Sequence, residues 1–435
     1  MGLSFWPGSG TNRTLDAPAP TKIRTWRLIH ARTREPDIKA YLQPERVQLV
    51  GGPGTRLVLL KTVVIIAFCV GLSMSPALWT GPRSYPLAPI SQLFPVVSGV
   101  VALGLYAALF VLAAIAVVAR RPRWLIAAFL AVIGVFCAAD QTRWQPWVFQ
   151  YSFLLAAVAA CPRKSFNVDE EKRALDIARL IVASTYIFSG LQKINLNFME
   201  NDFPWLVQPI TNAFPSSTGF LHVAGMAAPF LQFAFGVGLL TRRYRRAALI
   251  LAVAMHMFVL AMFGPAGLDW NNIVWPWTAA MAIFDILLFS SASEFSWRDI
   301  VSSGRNSGHG VATVLFAILP GLSFFNCWDS YLSSALYSGN LTEAVIYVSD
   351  AGRASLPLAI ASRLVRTSPN TNVLNFQRWA IEDLNVTPYP ETRVYKAIAG
   401  RVCGDMGDPS QLVLVVREQR LFFSRPEIGY RCTEL

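Results

Sequence analysis

The chain has 435 residues, 54% of them hydrophobic and 15% charged, with a formal net charge of +12. A soluble domain of that length needs a larger polar share to cover its surface, so the composition excludes an ordinary globular protein and predicts an integral membrane protein. The basic residues sit in short clusters between apolar runs rather than along one face, which excludes nucleic acid as the partner and leaves membrane lipid.

Residues 1–56 are polar, basic and rich in Pro and Gly, without the pattern of a cleavable signal peptide. They are expected to form a cytoplasmic N-terminal segment, the first membrane helix itself directing insertion. From residue 57 to 330 the sequence predicts an all-α polytopic membrane bundle of about nine transmembrane helices, taking roughly 20 apolar residues per crossing. The runs are 57–76, 93–119, 124–139, 147–161, 174–195, 223–240, 247–264, 273–291 and 311–330, the third and fourth being short.

Lys and Arg in alternate connections set the orientation. One set of connections holds twenty-three and the other only Arg83 and Arg143. The imbalance predicts a cytoplasmic N-terminus, and nine crossings then put the C-terminal segment outside. Residues 331–435 change character, with turn signals and an alternating stretch, QLVLVVREQRLFF, that suggests a strand pair. They are expected to form a small extracytoplasmic α+β domain, able to engage a protein partner. Cys403 and Cys432 lie in it, and an oxidising compartment favours a disulfide between them. Cys69, Cys137, Cys161 and Cys327 lack redox or zinc spacing and read as packing residues. Asn340 and Asn385 begin N-x-T sequons.

Within the fifth run, YIFSGLQKINLNF, Lys193 stands at the outward end, against the charge bias of that side. Two readings compete: its ammonium snorkels to the headgroups, or it turns toward a polar cavity, because a lysine facing hydrocarbon costs a few kcal/mol. Tyr186, Ser189 and Lys193 recur at intervals of three and four and share one stripe, with Gly190 beside it able to admit a neighbouring helix. His256, mid-way along the seventh run, reads either as a hydrogen-bonded core residue or as part of the same site.

Two outward turns carry further polar residues. DQTRWQPW brings Asp140, Gln141, Arg143, Trp144 and Gln145, and GLDWNNIVWPW brings Asn271, Asn272 and Trp275. Together with Tyr186 and Ser189 they are candidate substrate contacts, with Lys193 and His256 as candidate catalytic groups. Their tryptophans, with Trp147, Trp270 and Trp277, also fit an interfacial aromatic belt. Pro146 and Pro276 are expected to break helices there. A desolvated lysine can serve as a base or amine near neutral pH. The histidines, at 30, 222, 256 and 309, have no metal-ligand spacing, and no phosphate loop or nucleophile elbow is present.

The segment YIFSGLQKIN resembles that of vitamin K-dependent γ-glutamyl carboxylases and the related bacterial HTTM membrane proteins, over roughly residues 57–290. The resemblance implies that Lys193 is the base that starts quinone oxygenation, that His256 matches a histidine of a later helix, and that DQTRWQPW is the family's D-x-x-x-W turn. Where the carboxylases carry Asn and His after that turn, this chain has Pro146 and Trp147, and Phe198 replaces a tryptophan after the lysine. The implied activity is that of a carboxylase- or epoxidase-like lyase or an oxidoreductase acting on a quinone-like or lipid substrate. The alternative is an accessory protein akin to the DoxX-type redox-associated membrane proteins, binding a partner through its outer domain.

Overall fold

The computed structural model describes residues 52–435 apart from 92, 120–121, 161–167, 291–294, 296, 303–306 and 419–425. Residues 1–51, which hold His30 and nearly all of the expected cytoplasmic segment, lie outside the described residues, as does Cys161. The described residues form one compact unit.

Eight long helices follow in order: α1 (Pro53–Met74), α2 (Gly99–Val118), α3 (Arg123–Ala139), α4 (Pro146–Ala159), α5 (Val168–Gln192), α6 (Thr218–Leu240), α7 (Arg245–Phe263) and α8 (Val274–Phe289). A ninth helical run spans Ser307–Leu322 through a π-helical turn at Val314–Ile318. Among the described residues six helices are long and apolar enough to cross a membrane: Gly54–Met74, Gly99–Val118, Asp169–Gln192, Pro215–Leu240, Arg245–Phe263 and Gly308–Phe325. The molecule is thus a mostly helical chain of multi-pass membrane character. A helix stands at each of the nine expected crossings, but α3, α4 and α8, of 17, 14 and 16 residues, rise only roughly 21–26 Å against a hydrocarbon core of about 30 Å.

The helices start where backbone chemistry lets them. Pro53 opens α1 and Pro146 opens α4. Pro276 lies in the first turn of α8. Those positions need no intrahelical N–H, so the two prolines expected to break helices begin them instead. Lys61, inside α1, donates from Nζ to the Ala116 and Val117 carbonyls at 2.9 and 2.8 Å. It caps the C-terminus of α2, whose last carbonyls have no helical partner.

Helices α5 and α6 approach each other closely at their glycines. A Cβ on Gly190 would stand 2.5 Å from Phe233 N and 2.8 Å from Pro229 O, and one on Gly236 would stand 2.9 Å from Ile187 N. Each helix offers a glycine where the other's backbone passes, the small-residue contact expected of Gly190. Trp147 leaves the expected aromatic belt: it is buried against Phe68 and Trp79, its ring within 3.0 Å of where a Gly71 side chain would begin.

The C-terminal part carries a five-stranded antiparallel sheet, β1 (Glu343–Val348), β2 (Val365–Ser368), β3 (Thr371–Asn375), β4 (Leu412–Arg417) and β5 (Glu427–Arg431), in the order β2-β3-β1-β4-β5. Two amphipathic helices, α9 (Phe376–Leu384) and α10 (Thr392–Gly404), bury Trp379, Ile398 and Val402. Among the described residues, the stretch expected to hold a strand pair supplies one strand, β4, which pairs with β1 and with the later β5. Residues 419–425 between them lie outside the described residues. Cys403 and Cys432 form the expected disulfide.

Candidate functional site

A mainly apolar cavity of about 440 Å³ lies among α5, α6, α7 and α8, closed at one end by residues 198–206 and 334–337. Tyr186, Ser189, Lys193 and His256 all line it. The helical stripe predicted from spacing therefore faces one chamber, and the candidate lysine and imidazole share it. Lys193 Nζ donates to Ser189 Oγ at 2.6 Å and to the Ser189 carbonyl at 3.2 Å. Of the two readings of this lysine, the inward one matches its contacts.

Deeper between the helices, the Tyr186 hydroxyl oxygen lies 2.6 Å from His256 Nε2 and 2.7 Å from Asp285 Oδ2, within hydrogen-bond distance of both. His256 Nε2 and Asp285 Oδ2 are 3.7 Å apart. Asp285 is fully buried on α8, and its Oδ1 has no hydrogen-bond partner among the described residues. The sequence reading passed over this residue, although a lone carboxylate in the apolar run AMAIFDILLF is itself a functional signal in a membrane segment.

Most of the rest of the wall is aromatic or aliphatic, with Thr185, Asp202, Gln232, Thr278 and Ser334 as its other polar members. Trp205, Phe263 and Tyr337 pack against one another with ring centroids 4.9–6.2 Å apart. Trp277 joins the wall while donating to Gln150 Oε1 at 2.8 Å. Leu231 on α6 and Leu251 on α7 line the cavity yet are 49% and 39% exposed. At that side the chamber reaches the apolar outer surface between α6 and α7.

The first outward turn does not reach the cavity. Asp140 pairs with Arg83 at 2.7 Å and accepts from the backbone N–H groups of Ala88 and Thr142. Its burial works against ionisation, but Arg83 and Arg143 hold the carboxyl below its ordinary range. Arg143 donates to the carbonyls of Leu78 and Phe136, and its guanidinium lies over the Phe136 ring. Gln141 donates to Pro89 O and accepts from Arg393, while Gln145 donates to Thr142 O and Thr387 O. Trp144 is half-buried against Phe149. None of these five candidate substrate contacts lines the cavity: Asp140 and Arg143 tie the turn to residues 78–88 and to Phe136, Gln141 and Gln145 join it to Arg393 and Thr387 of the sheet-bearing part, and Trp144 packs on Phe149, as a buried turn must satisfy its polar groups within the fold.

The second turn divides. Asn271 donates to the Tyr337 hydroxyl at 2.6 Å and so braces the cavity wall from behind. Asn272 accepts from Asn385, and Trp275 is half-buried, neither lining the cavity. Asn340 is buried and donates to Gln192, and Asn385 also donates to Met74 O, so both sequon side chains are engaged inside the fold. Among the described residues no three His, Cys, Asp or Glu side chains converge as a metal cage. Comparison with protein-family models, curated proteins and solved structures finds no match to this chain.

Proposed function

We propose that this multi-pass membrane protein is an enzyme of the HTTM-like kind, with nine crossings and an outer C-terminal domain, that acts on a quinone-like or lipid substrate in its intramembrane cavity. The observation that carries the reading is the shared chamber of Lys193, Ser189, Tyr186 and His256 in a mainly apolar wall. A drug-sized amphipathic molecule fits a cavity of 440 Å³. Its tail would pass the exposed gap at Leu231 and Leu251, and its polar head would meet the lysine.

Lys193 is the base. Its stem lies in an apolar setting and its ammonium is held by the neutral Ser189 hydroxyl and carbonyl, so loss of its proton leaves no carboxylate unpaired at those contacts. The neutral amine can then take a proton from a phenolic or enolic head. The wall of Trp205 and Trp277 supplies an optical probe.

The test is to titrate purified protein with a decyl-tailed benzoquinone and its quinol, following quenching of tryptophan emission, and to identify retained small molecules by mass spectrometry. Wild type should saturate and retain an isoprenoid or quinone-like lipid. Lys193→Ala should fold normally, bind at least about tenfold more weakly and lose any turnover of the retained lipid. Equal binding by wild type and Lys193→Ala, with bulk phospholipid as the sole retained species, would sink the reading.

A further inference from the structure

We propose that Asp285, Tyr186 and His256 form a proton relay, in which a carboxyl shut away from the cavity exchanges its proton with the cavity wall through a single tyrosine hydroxyl. The inference deepens the functional reading, on which it rests for its purpose: the substrate class is narrowed to molecules whose head gains or loses a proton in the cavity.

The Tyr186 oxygen is 2.6 Å from His256 Nε2 and 2.7 Å from Asp285 Oδ2, yet the hydroxyl holds one proton. It can donate to one neighbour only, so the other must donate to it. In the uncharged arrangement Asp285 donates O–H to the tyrosine oxygen and the tyrosine donates to Nε2. In the other arrangement of the same total charge, the tyrosine donates to the Asp285 carboxylate and Nε2–H of an imidazolium donates to the tyrosine.

One concerted shift converts the first into the second. The O–H bond at Asp285 breaks as one forms at Tyr186, and the former Tyr186 O–H breaks as N–H forms on His256. Two protons move, the total charge is unchanged, and no heavy atom has to travel. The uncharged arrangement is the resting one, because a carboxylate with an unpartnered Oδ1 among apolar helices is costly to ionise.

Position gives the chain a direction. His256 and Tyr186 line the cavity, and Asp285 does not. The three come from α7, α5 and α8, so the chain also ties three helices together. The ring of Phe235 from α6 covers Tyr186 on its fourth side with centroids 5.1 Å apart. The other ionisable groups on the cavity wall are Lys193, Asp202 and Tyr337. A head that Lys193 deprotonates, or one that needs a proton on a second oxygen, has His256 in the same chamber and Asp285 behind it as the reserve.

The experiment is infrared spectroscopy of detergent-purified protein, following the carbonyl stretch of a protonated carboxylic acid after transfer into D₂O. Labelling with ¹³C-aspartate assigns the band to an aspartic acid in wild type, and its loss in Asp285→Asn assigns it to this residue. Wild type should show the band at neutral pH with rapid deuterium exchange. Tyr186→Phe should slow that exchange about tenfold or more, since it removes the oxygen that bridges His256 Nε2 and Asp285 Oδ2, which at 3.7 Å are too far apart to hydrogen-bond directly. If Tyr186→Phe does not fold, His256→Gln replaces it, and a shift of the Asp285 band is the expected readout.

Absence of an aspartic acid band in wild type, or exchange as fast in Tyr186→Phe as in wild type, overturns the relay. Lys193→Ala separates the two ideas: failure of the lysine reading shows in quinone titration alone, and the carboxyl exchange of that variant should match wild type.

Discussion

Replacing Gly190 by alanine adds one methyl group at the tightest point between α5 and α6. That carbon would lie 2.5 Å from Phe233 N, 2.8 Å from Pro229 O and 2.9 Å from Phe233 Cα. All three neighbours are backbone, so no side chain can swing away, and ordinary contact near 3.5 Å requires the helices to part by about 1 Å. Overpacking of this kind costs about 1–3 kcal/mol. Removing a glycine from a helix returns up to about 1 kcal/mol in propensity, and a control isolates the steric part. Gly104 in α2 has nothing within 4 Å of its missing Cβ, so Gly104→Ala keeps the propensity gain alone. Heating both variants in detergent and following the folded fraction by size-exclusion chromatography should place Gly190→Ala below Gly104→Ala by that 1–3 kcal/mol. Gly190→Ala should also weaken benzoquinone binding, because Tyr186, Ser189, Leu231 and Gln232 on the parted helices all face the cavity. Equal heat resistance of the two variants would refute the close α5–α6 contact, and with it the shape assigned to the chamber.

Asp140→Ala should leave Arg83 and Arg143 buried without their carboxylate and cost about 3–5 kcal/mol. The yield of folded protein measures this, and a well-folded variant defective only in ligand binding would restore Asp140 as a substrate contact. Cys403→Ser opens a loop whose ends are 29 residues apart, worth about 3–4 kcal/mol by chain entropy; proteolysis of the C-terminal part should quicken in the variant or with reductant. Glu391 is pushed up to about 7, from 4.5, by its own burial first and then by Asp329. A carboxyl raised on folding is fully stabilising below its unfolded value and loses that contribution as pH rises through the folded one. The sheet-bearing part should therefore weaken by up to about 3 kcal/mol between pH 4.5 and pH 7, and Glu391→Gln, measured by the same proteolysis across that range, should flatten the slope.

Local pattern and composition determined much of this protein in advance. Apolar length marked where helices lie, since a helix in hydrocarbon needs nothing from its neighbours to satisfy its backbone. Periodicity put Tyr186, Ser189 and Lys193 on one stripe, and the missing side chain of Gly190 foretold a close neighbour, because both follow from helix geometry within a single segment. The change of texture after residue 331 likewise announced a different kind of fold, and the pairing of Cys403 with Cys432 needed only their shared segment.

Tertiary structure decided what those residues meet. Asp140, Gln141, Arg143 and Gln145 look like a binding loop in one dimension, yet their partners are Arg83, Pro89, Leu78 and Thr387, up to 242 positions away in the chain. Asp285 looks like an isolated charge until α5 and α7 bring Tyr186 and His256 to it. A polar side chain carries the same atoms whether it binds a ligand or closes a joint; which it does depends on groups that reach it only when distant helices pack, and no spacing within one segment encodes that meeting.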